Sequence, residues 1–531
     1  MTEIAALPIS TRAERLALRL VQLGAFAVVL VASTHKVFDL DRFFVPKELV
    51  LHVTAALAGL LVVRSFRRAT ITWLDAALLL YLLMGAVSTL LAENPWLGMR
   101  ALAVSASGVL LFWVARTFRN AGLARALVGA LAFAVVLAAV TSLLQTYGLR
   151  LDVFALNRAP GGTLGNRNFV AHAAAFGFPV VLLAALYARR GSASFAASLG
   201  VMLVTASLVL TRSRAAWLAF GAMIVIFLFA MLFSGPLRRD GRTWKRLFVA
   251  LLLIGGGVAA ALLLPNTLNW RSDNPYLDSV KDVTNYQEGS GRGRLIQYEH
   301  SLKMAAAHAL LGVGPGNWPV WYPEYAARRD PSLDPSEEGM TYNPWPSSDW
   351  IAFISERGFP AFLILAVVFV ALALTTLQRL RRAADPDDAI VAAAMLATLA
   401  AAAVAGAFDA VLLLALPTFI VWTVLGALWL PMPPLALRGR TLFVLLVVVF
   451  SGLGAVRSAS QLVAMDLQAR HGDRESLERA SRIDPGSYRL HLRLARIGKR
   501  QQRCEHALAA RSLFPAASAA RSVASGCSDS D

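Results

Sequence analysis

The sequence predicts an all-α polytopic membrane protein with about thirteen transmembrane helices, one large extramembrane loop and a small helical tail. Three observations predict it. Of the 531 residues, 57% are hydrophobic and only 16% charged, with a mean hydropathy of +0.57. Apolar runs of about twenty residues, enough to cross the hydrocarbon core of a bilayer, recur throughout the chain. The basic residues gather in short clusters at alternate ends of those runs. A single soluble domain is excluded, and the net charge of +18 is accounted for by these clusters, so nucleic acid is not an expected partner.

Arg12, Arg15 and Arg19 precede an apolar run over 20–33, read as an uncleaved first span because apolar segments continue for hundreds of residues. His35 to Glu48, HKVFDLDRFFVPKE, reads as an amphipathic loop whose Pro46 marks the entry to a second span ending at Arg64, Arg67 and Arg68. Further spans are expected at 72–92, 100–116, 124–146, 169–188, 195–211, 214–234, 247–264, 351–377, 389–413, 415–430 and 441–457. When these alternate, the clusters around Arg67, Arg116, Arg189, Arg238, Arg381 and Arg438 all fall on one side, which is expected to be the cytoplasm of a bacterial inner membrane. The periplasmic face then receives the loops 34–47, 147–168 and 265–350 and the tail. The expected organisation is 1–264, N-terminal transmembrane helices; 265–350, periplasmic loop; 351–457, C-terminal transmembrane helices; and 458–531, a periplasmic tail.

In the tail, Leu477, Ala480, Ile483, Leu490, Leu494 and Ala495 recur at helical spacing, and Asp484-Pro485 and Phe514-Pro515 close two similar helices about thirty residues apart. This resembles one tetratricopeptide unit or slightly more. Such a unit cannot bury its apolar face alone, so it is expected to pack on the membrane domain or on a partner. Cys504 and Cys527, the only cysteines, are disulfide candidates if the tail is periplasmic.

Polar chemistry concentrates in 265–350, and in arginines that the spans do not require. Arg212 and Arg214 stand between two apolar runs with almost no loop, a costly place for charge unless it meets an anion or a polar cavity. Arg292 and Arg294 precede an amphipathic helix over about 294–309 that ends in Gly312-Val313-Gly314-Pro315-Gly316-Asn317. Asn166-Arg167-Asn168 lies where another loop enters a span. Each feature also has a plainer reading: a snorkelling hairpin, a turn, a helix cap. Together, four arginines with Trp318, Trp321, Tyr322, Tyr325, Trp345 and Trp350 suit a sugar-bearing lipid diphosphate. Guanidinium forks would hold the diphosphate while aromatic faces stack on sugar rings. No His, Cys or Asp cluster has metal-ligand spacing, so no metal or other cofactor is expected.

At these residues the chain resembles the O-antigen ligase/polymerase family with the Wzy-C domain. The pieces that carry the resemblance are GTLGNRNFVA (Gly162 to Ala171), TRSRAAWLA (Thr211 to Ala219), GRLIQYEHSLKMAAAHALLGVGPGNW (Gly293 to Trp318) and SSDWIAFISERG (Ser347 to Gly358). The resemblance implies a metal-independent, inverting glycosyltransferase. It would move a glycan from undecaprenyl diphosphate to an acceptor glycan or lipid A core at the periplasmic face, with other polysaccharide assembly proteins as candidate partners. Arg214 and Arg294 then match the family's diphosphate-binding arginines, with Arg292, Arg212, Asn166, Arg167, Asn168, Gly314, Asn317 and Glu356 as further substrate-binding candidates. The family's ligases carry a histidine where this chain has Ser347. Asp349 or Glu356 would take over as base, or the reaction needs little base, or the protein is inactive. The missing histidine leans the reading towards a polymerase. A lipid or polysaccharide transporter and a non-catalytic assembly scaffold are the rival readings.

Overall fold

The structure is a computed structural model that describes residues 10–34, 41–66, 71–156, 158–188, 191–270, 272–281, 285–334, 340–429, 440–497 and 500–527. Apart from one two-residue antiparallel pair, Leu333–Asp334 with Met340–Thr341, its regular elements are helices. Residues 335–339 between those two strands lie outside the described residues.

Eleven helices among the described residues are long and apolar enough to cross a membrane, which makes this an all-α polytopic membrane protein. Two of the thirteen expected spans fall outside that set. Arg12–Leu30 carries Arg12, Glu14, Arg15 and Arg19 in its first turns, so its apolar stretch is short. Ala415–Leu428 has only 14 residues, but every one of them is buried, which makes it an internal helix of the bundle.

Three expected boundaries move. Asp41 to Glu48 is helical and opens Asp41–Phe66, with Pro46 inside the helix; His35 to Leu40 lie outside the described residues. Here tertiary pairing overrides the proline signal: Arg100 reaches Glu48 through Nε at 2.8 Å and Asp41 through Nη2 at 3.0 Å. The last apolar helix does not stop at Arg457 but runs on to Arg470, carrying the chain into the tail. The helix expected from 351 begins at Asp349, capped by Ser348, and is broken at Gly358.

The bundle has two chemically distinct ends. At one, Arg116 pairs with Asp75 and Arg379 with Asp388, both at 2.5 Å, while Arg125 stacks on Tyr187, whose hydroxyl donates to the Asp387 carbonyl at 2.6 Å. These basic clusters therefore share an end; Arg67, Arg189 and Arg438 lie outside the described residues. At the other end lie the large loop, the connection after Thr146 and the tail. Thr267 N–H donates to the Thr146 carbonyl at 3.0 Å, seating the start of the loop on the helix Ala124–Thr146.

The tail comprises Arg474–Ile483, Tyr488–Ile497, Arg500–Leu513 and Ser518–Ala524. Leu477, Ala480, Leu490, Leu494 and Ala495 are buried, whereas Ile483 is exposed. A second apolar cluster, with Tyr488, Leu513 and Phe514, meets Trp96 of the membrane domain and Val320 and Met340 of the loop. The apolar face that one helical pair cannot cover alone is thus covered by the chain itself. Cys504 and Cys527 form a disulfide across 23 residues. Replacing both by serine is expected to lower the stability of the tail by about 3 kcal/mol. Limited proteolysis with and without reductant checks this; an unchanged cleavage rate would show that the bridge adds nothing.

Candidate functional site

Three helix ends meet beneath the loop: the N-terminus of Arg167–Tyr187, the N-terminus of Arg214–Phe233, and the C-terminus of Pro386–Phe408, which delivers Asp409. Arg214–Phe233 lies along Pro386–Phe408, as does Arg167–Tyr187. The loop helix Gly289–Ala307 closes the site from above.

Arg214 and Arg294 line the same small pocket, with Tyr286, Gly291 and Phe408 among its other walls. Arg214 Nη2 donates to Ser290 Oγ at 2.6 Å, tying the membrane helix to the loop helix. Two guanidinium groups stand beside the N-terminus of Arg214–Phe233, where backbone N–H groups are left over, a charge arrangement that suits an anion.

Beside it stands a polar cluster. Asp409 Oδ2 accepts from Asn168 Nδ2 at 3.3 Å and lies 3.9 Å from His172 Nε2. Asp409 keeps 15% of its side chain exposed, whereas His172 is fully buried and neither of its ring nitrogens has a hydrogen-bond partner. Tyr298 donates from its hydroxyl to the carbonyls of Ser347, at 2.6 Å, and Ala407, at 2.9 Å. Burial pushes the Tyr298 hydroxyl up to about 12 although the Arg294 charge pulls it down, so it stays a protonated donor. Arg294 also acts electrostatically on His172. The arrangement is a cationic pocket with a partly open carboxylate at its edge.

The other sequence candidates lie elsewhere. Arg167 and Arg212 sit over the Trp270 ring at 5.0 and 4.6 Å, and Arg212 Nε donates to Ser279 Oγ at 2.9 Å. They hold the first part of the loop. Arg212 adopts φ +54°, a conformation uncommon for a side-chain-bearing residue, in the three-residue link between two helices. Arg292, two residues from Arg294, points to the opposite side of its helix and is exposed. Asn166 caps Arg167–Tyr187 through the Asn168 N–H at 3.0 Å.

The two candidate carboxylates at the loop exit are fully buried and bonded to backbone amides, whereas Asp409, whose Oδ1 also accepts from Ala410 N–H at 2.9 Å, stays partly exposed. Asp349 is fully buried, and its Oδ1 and Oδ2 accept from Val411 and Leu412 N–H at 2.9 and 2.8 Å. That geometry gives Asp349 a structural task, holding the turn that follows Asp409. Glu356 Oε2 accepts from Gly316 N–H at 2.9 Å, while its backbone carbonyl accepts from Gly314. Asn317 pairs doubly with the Asn94 backbone, at 2.8 and 3.0 Å. The glycine turn is therefore a clasp between loop and membrane helices. Gly312 and Gly358 face each other across it at φ +66° and +78°; a Cβ on either would come within 2.3 Å of the opposing backbone. Asp349→Ala is expected to cost roughly 2–5 kcal/mol by leaving two buried amides unpaired. Thermal unfolding of the detergent-purified protein checks this, and a melting temperature equal to wild type would refute it.

The aromatic candidates also divide. Trp318 and Tyr322 are wholly buried and stack at 4.4 Å in the loop's own core with Met304 and Val313. Trp350 donates to the Ala403 carbonyl at 3.0 Å and packs among membrane helices. Trp345 alone of these reaches a cavity, where it packs edge-on against Phe44 at 5.1 Å. That cavity, of about 1020 Å³, lies between Asp41–Phe66, the 150–165 connection, the loop and the tail. Gly165 and Trp345 in its wall stand within three residues of Asn168 and Ser347 in the Asp409 cluster.

Asp409 and His172 were not among the sequence candidates. Both could have been found as the rare ionisable residues at the end of, or within, apolar spans, a position that is costly without a use.

Residues 199–366 match the family model described as O-antigen ligase, Wzy_C. The matched stretch holds Arg212, Arg214, Arg292, Arg294, the loop and the clasp, but neither His172 nor Asp409. No curated protein matches the chain. The match and the eleven apolar helices mark a multi-pass membrane enzyme of polysaccharide assembly.

Proposed function

Starting from the O-antigen ligase domain over residues 199–366, we propose that the chain transfers a glycan from a polyisoprenyl diphosphate carrier, of the undecaprenyl type, to the hydroxyl of an acceptor glycan. The observation that carries the reading is that Arg214 and Arg294 share one pocket at a helix N-terminus, with Asp409 beside it. In the reaction the acceptor oxygen attacks the anomeric carbon from the face opposite the carrier. The bond from that carbon to the diphosphate breaks, and the diphosphate leaves with the electron pair. Arg214 and Arg294 stabilise the charge that grows on it. Asp409 takes the proton from the acceptor hydroxyl, with Asn168 orienting the carboxylate and His172 behind it. A single displacement of this kind inverts the anomeric centre.

The site faces the periplasm of the inner membrane in this proposal. Two features support that side: the basic clusters share the far end of the bundle, and the tail, which packs on the loop, carries a disulfide. A repeat-unit polymerase is favoured over a lipid A ligase because Ser347 stands where the family's ligases carry a histidine. The test is a gene deletion complemented at matched expression with wild type, Arg214→Ala, Arg294→Ala and Asp409→Asn, followed by gels of surface polysaccharide and lipopolysaccharide. Collapse of polymer to single repeat units in the variants identifies a polymerase, and loss of long glycan from lipid A identifies a ligase. Full complementation by both arginine variants would overturn the proposal.

A further inference from the structure

The loop helix Gly289–Ala307 has more to do than carry Arg294, because one of its faces is apolar and left uncovered by the described residues. At about 3.6 residues per turn its side chains fall into four sectors. Gln297, Ser301 and Met304 point into the loop: Gln297 Nε2 donates to Ser332 Oγ at 3.1 Å, Ser301 Oγ accepts from Trp318 Nε1 at 2.9 Å, and Met304 joins the Trp318 cluster. Arg294 and Tyr298 point to the ends of the membrane helices. Next round the helix come Leu302, Leu295 and Ala306, all exposed, and after them the exposed charges Glu299, Arg292 and Lys303. The apolar strip thus lies between the side that meets the bundle and the side that meets water.

The height of this helix in the membrane frame follows from two helix lengths. Arg379 pairs with Asp388 at the basic end of the bundle. Along their helices, Phe359 stands about twenty residues from Arg379, and Ala407 about as far from Asp388. At about 1.5 Å per residue that is roughly 30 Å, the thickness of a bilayer's hydrocarbon core. The loop helix touches both positions. The Tyr298 hydroxyl donates to the Ala407 carbonyl at 2.9 Å, and just past the helix end the Ala309 carbonyl accepts from Phe359 N–H at 2.9 Å. The helix therefore lies along the boundary of the hydrocarbon core on its own side. Its apolar strip is also continuous with the lipid-facing side of the bundle. Leu310, 74% exposed, meets Gly358 through its backbone and leads to the exposed row Phe359, Leu363 and Val367.

We propose that the loop helix is seated on the membrane leaflet at its own side, with a lipid surface as the partner of its apolar strip. Leu295, Leu302, Ala306 and Leu310 enter the acyl chains, while Arg292, Glu299 and Lys303 stay among headgroups and water, the arrangement of an interfacial amphipathic helix. The lipid surface then sets the height at which Arg294, on the neighbouring sector, stands over the bundle.

This seat does not depend on the transfer reading, and its test uses no substrate. Single-cysteine variants of the full-length protein are labelled with an environment-sensitive nitrobenzoxadiazole probe in nanodiscs of phosphatidylcholine and phosphatidylglycerol. Cys504 and Cys527 are bonded to each other and do not react. Emission is read with iodide in the water and with a phosphatidylcholine carrying a nitroxide high in its acyl chain. Leu302→Cys and Ala306→Cys are expected to be quenched by the nitroxide lipid about as strongly as Leu363→Cys on the membrane helix, and by iodide about fivefold less than Glu299→Cys and Lys303→Cys. All five sites are exposed, so the label leaves the packed core alone. Equal iodide quenching at all four loop-helix sites would put the helix in water. Shielding of Leu302→Cys and Ala306→Cys from both quenchers would mean that protein, such as a second copy of this chain, covers the strip. Either result overturns the proposal.

Discussion

Arg294→Ala and Arg214→Ala are each expected to lower the rate of glycan transfer by about 10²–10³-fold, the usual cost of removing one group that stabilises leaving-group charge. The two side chains line one pocket, one from a membrane helix and one from the loop helix, so the double variant should lose less than the product of the single effects. Arg294→Lys should recover only part of the activity, because a point charge cannot grip a diphosphate with two parallel hydrogen bonds. The measurement is kcat and kcat/KM with a lipid-linked donor and purified protein in nanodiscs. Equal falls in the two quantities would place the arginines in transition-state stabilisation, whereas a rise in KM alone would confine them to donor binding. Activity within twofold of wild type in both single variants would remove the diphosphate from this pocket.

Asp409→Asn is expected to lower kcat by about 10²–10⁴-fold while leaving donor binding intact, as general-base loss does. The amide keeps the shape and can still meet Asn168, which holds the carboxylate at 3.3 Å, so the fold should survive. His172→Gln should act more weakly, because His172 is buried behind Asp409 and is a positioning residue in this scheme. Asp349→Asn supplies the contrast: it should lower the melting temperature, since both Asp349 oxygens serve backbone amides, yet leave the kcat of the surviving folded protein close to wild type. If Asp349→Asn were the variant that lost kcat and Asp409→Asn behaved like wild type, the base would have to be reassigned to the loop exit.

Much of the fold was legible because a bilayer admits few solutions. Repeated apolar runs and register-matched arginine clusters identify an all-helical bundle without any knowledge of packing. The same local logic failed at Ala415–Leu428, at Asp41 to Glu48 and beyond Arg457. In the first case burial inside the bundle makes a short helix look like a span. In the others, contacts with Arg100 and with the tail extend a helix through residues that local signals would leave in a loop. Among the site candidates, Arg214 and Arg294 stood out as charges the spans did not need. Asp349, Glu356, Gly314 and Asn317 stood out equally, but their polar groups are engaged by backbone partners, a fact no single stretch of sequence contains.

By itself the sequence determined the membrane class, the large loop, the arginines and the small helical tail, since each depends on local hydropathy, charge or spacing. Only the tertiary structure decided which charges stay partly open: Asp409 has both oxygens engaged, by Ala410 N–H and Asn168, yet keeps 15% of its side chain exposed, whereas Asp349 is fully buried. A carboxylate held by two backbone amides and one facing a pocket are the same residue type in similar surroundings along the chain. Only the three-dimensional packing of Pro386–Phe408 against Arg167–Tyr187 and Arg214–Phe233 brings Asp409 beside His172 and Asn168, at the edge of the pocket that Arg214 and Arg294 line.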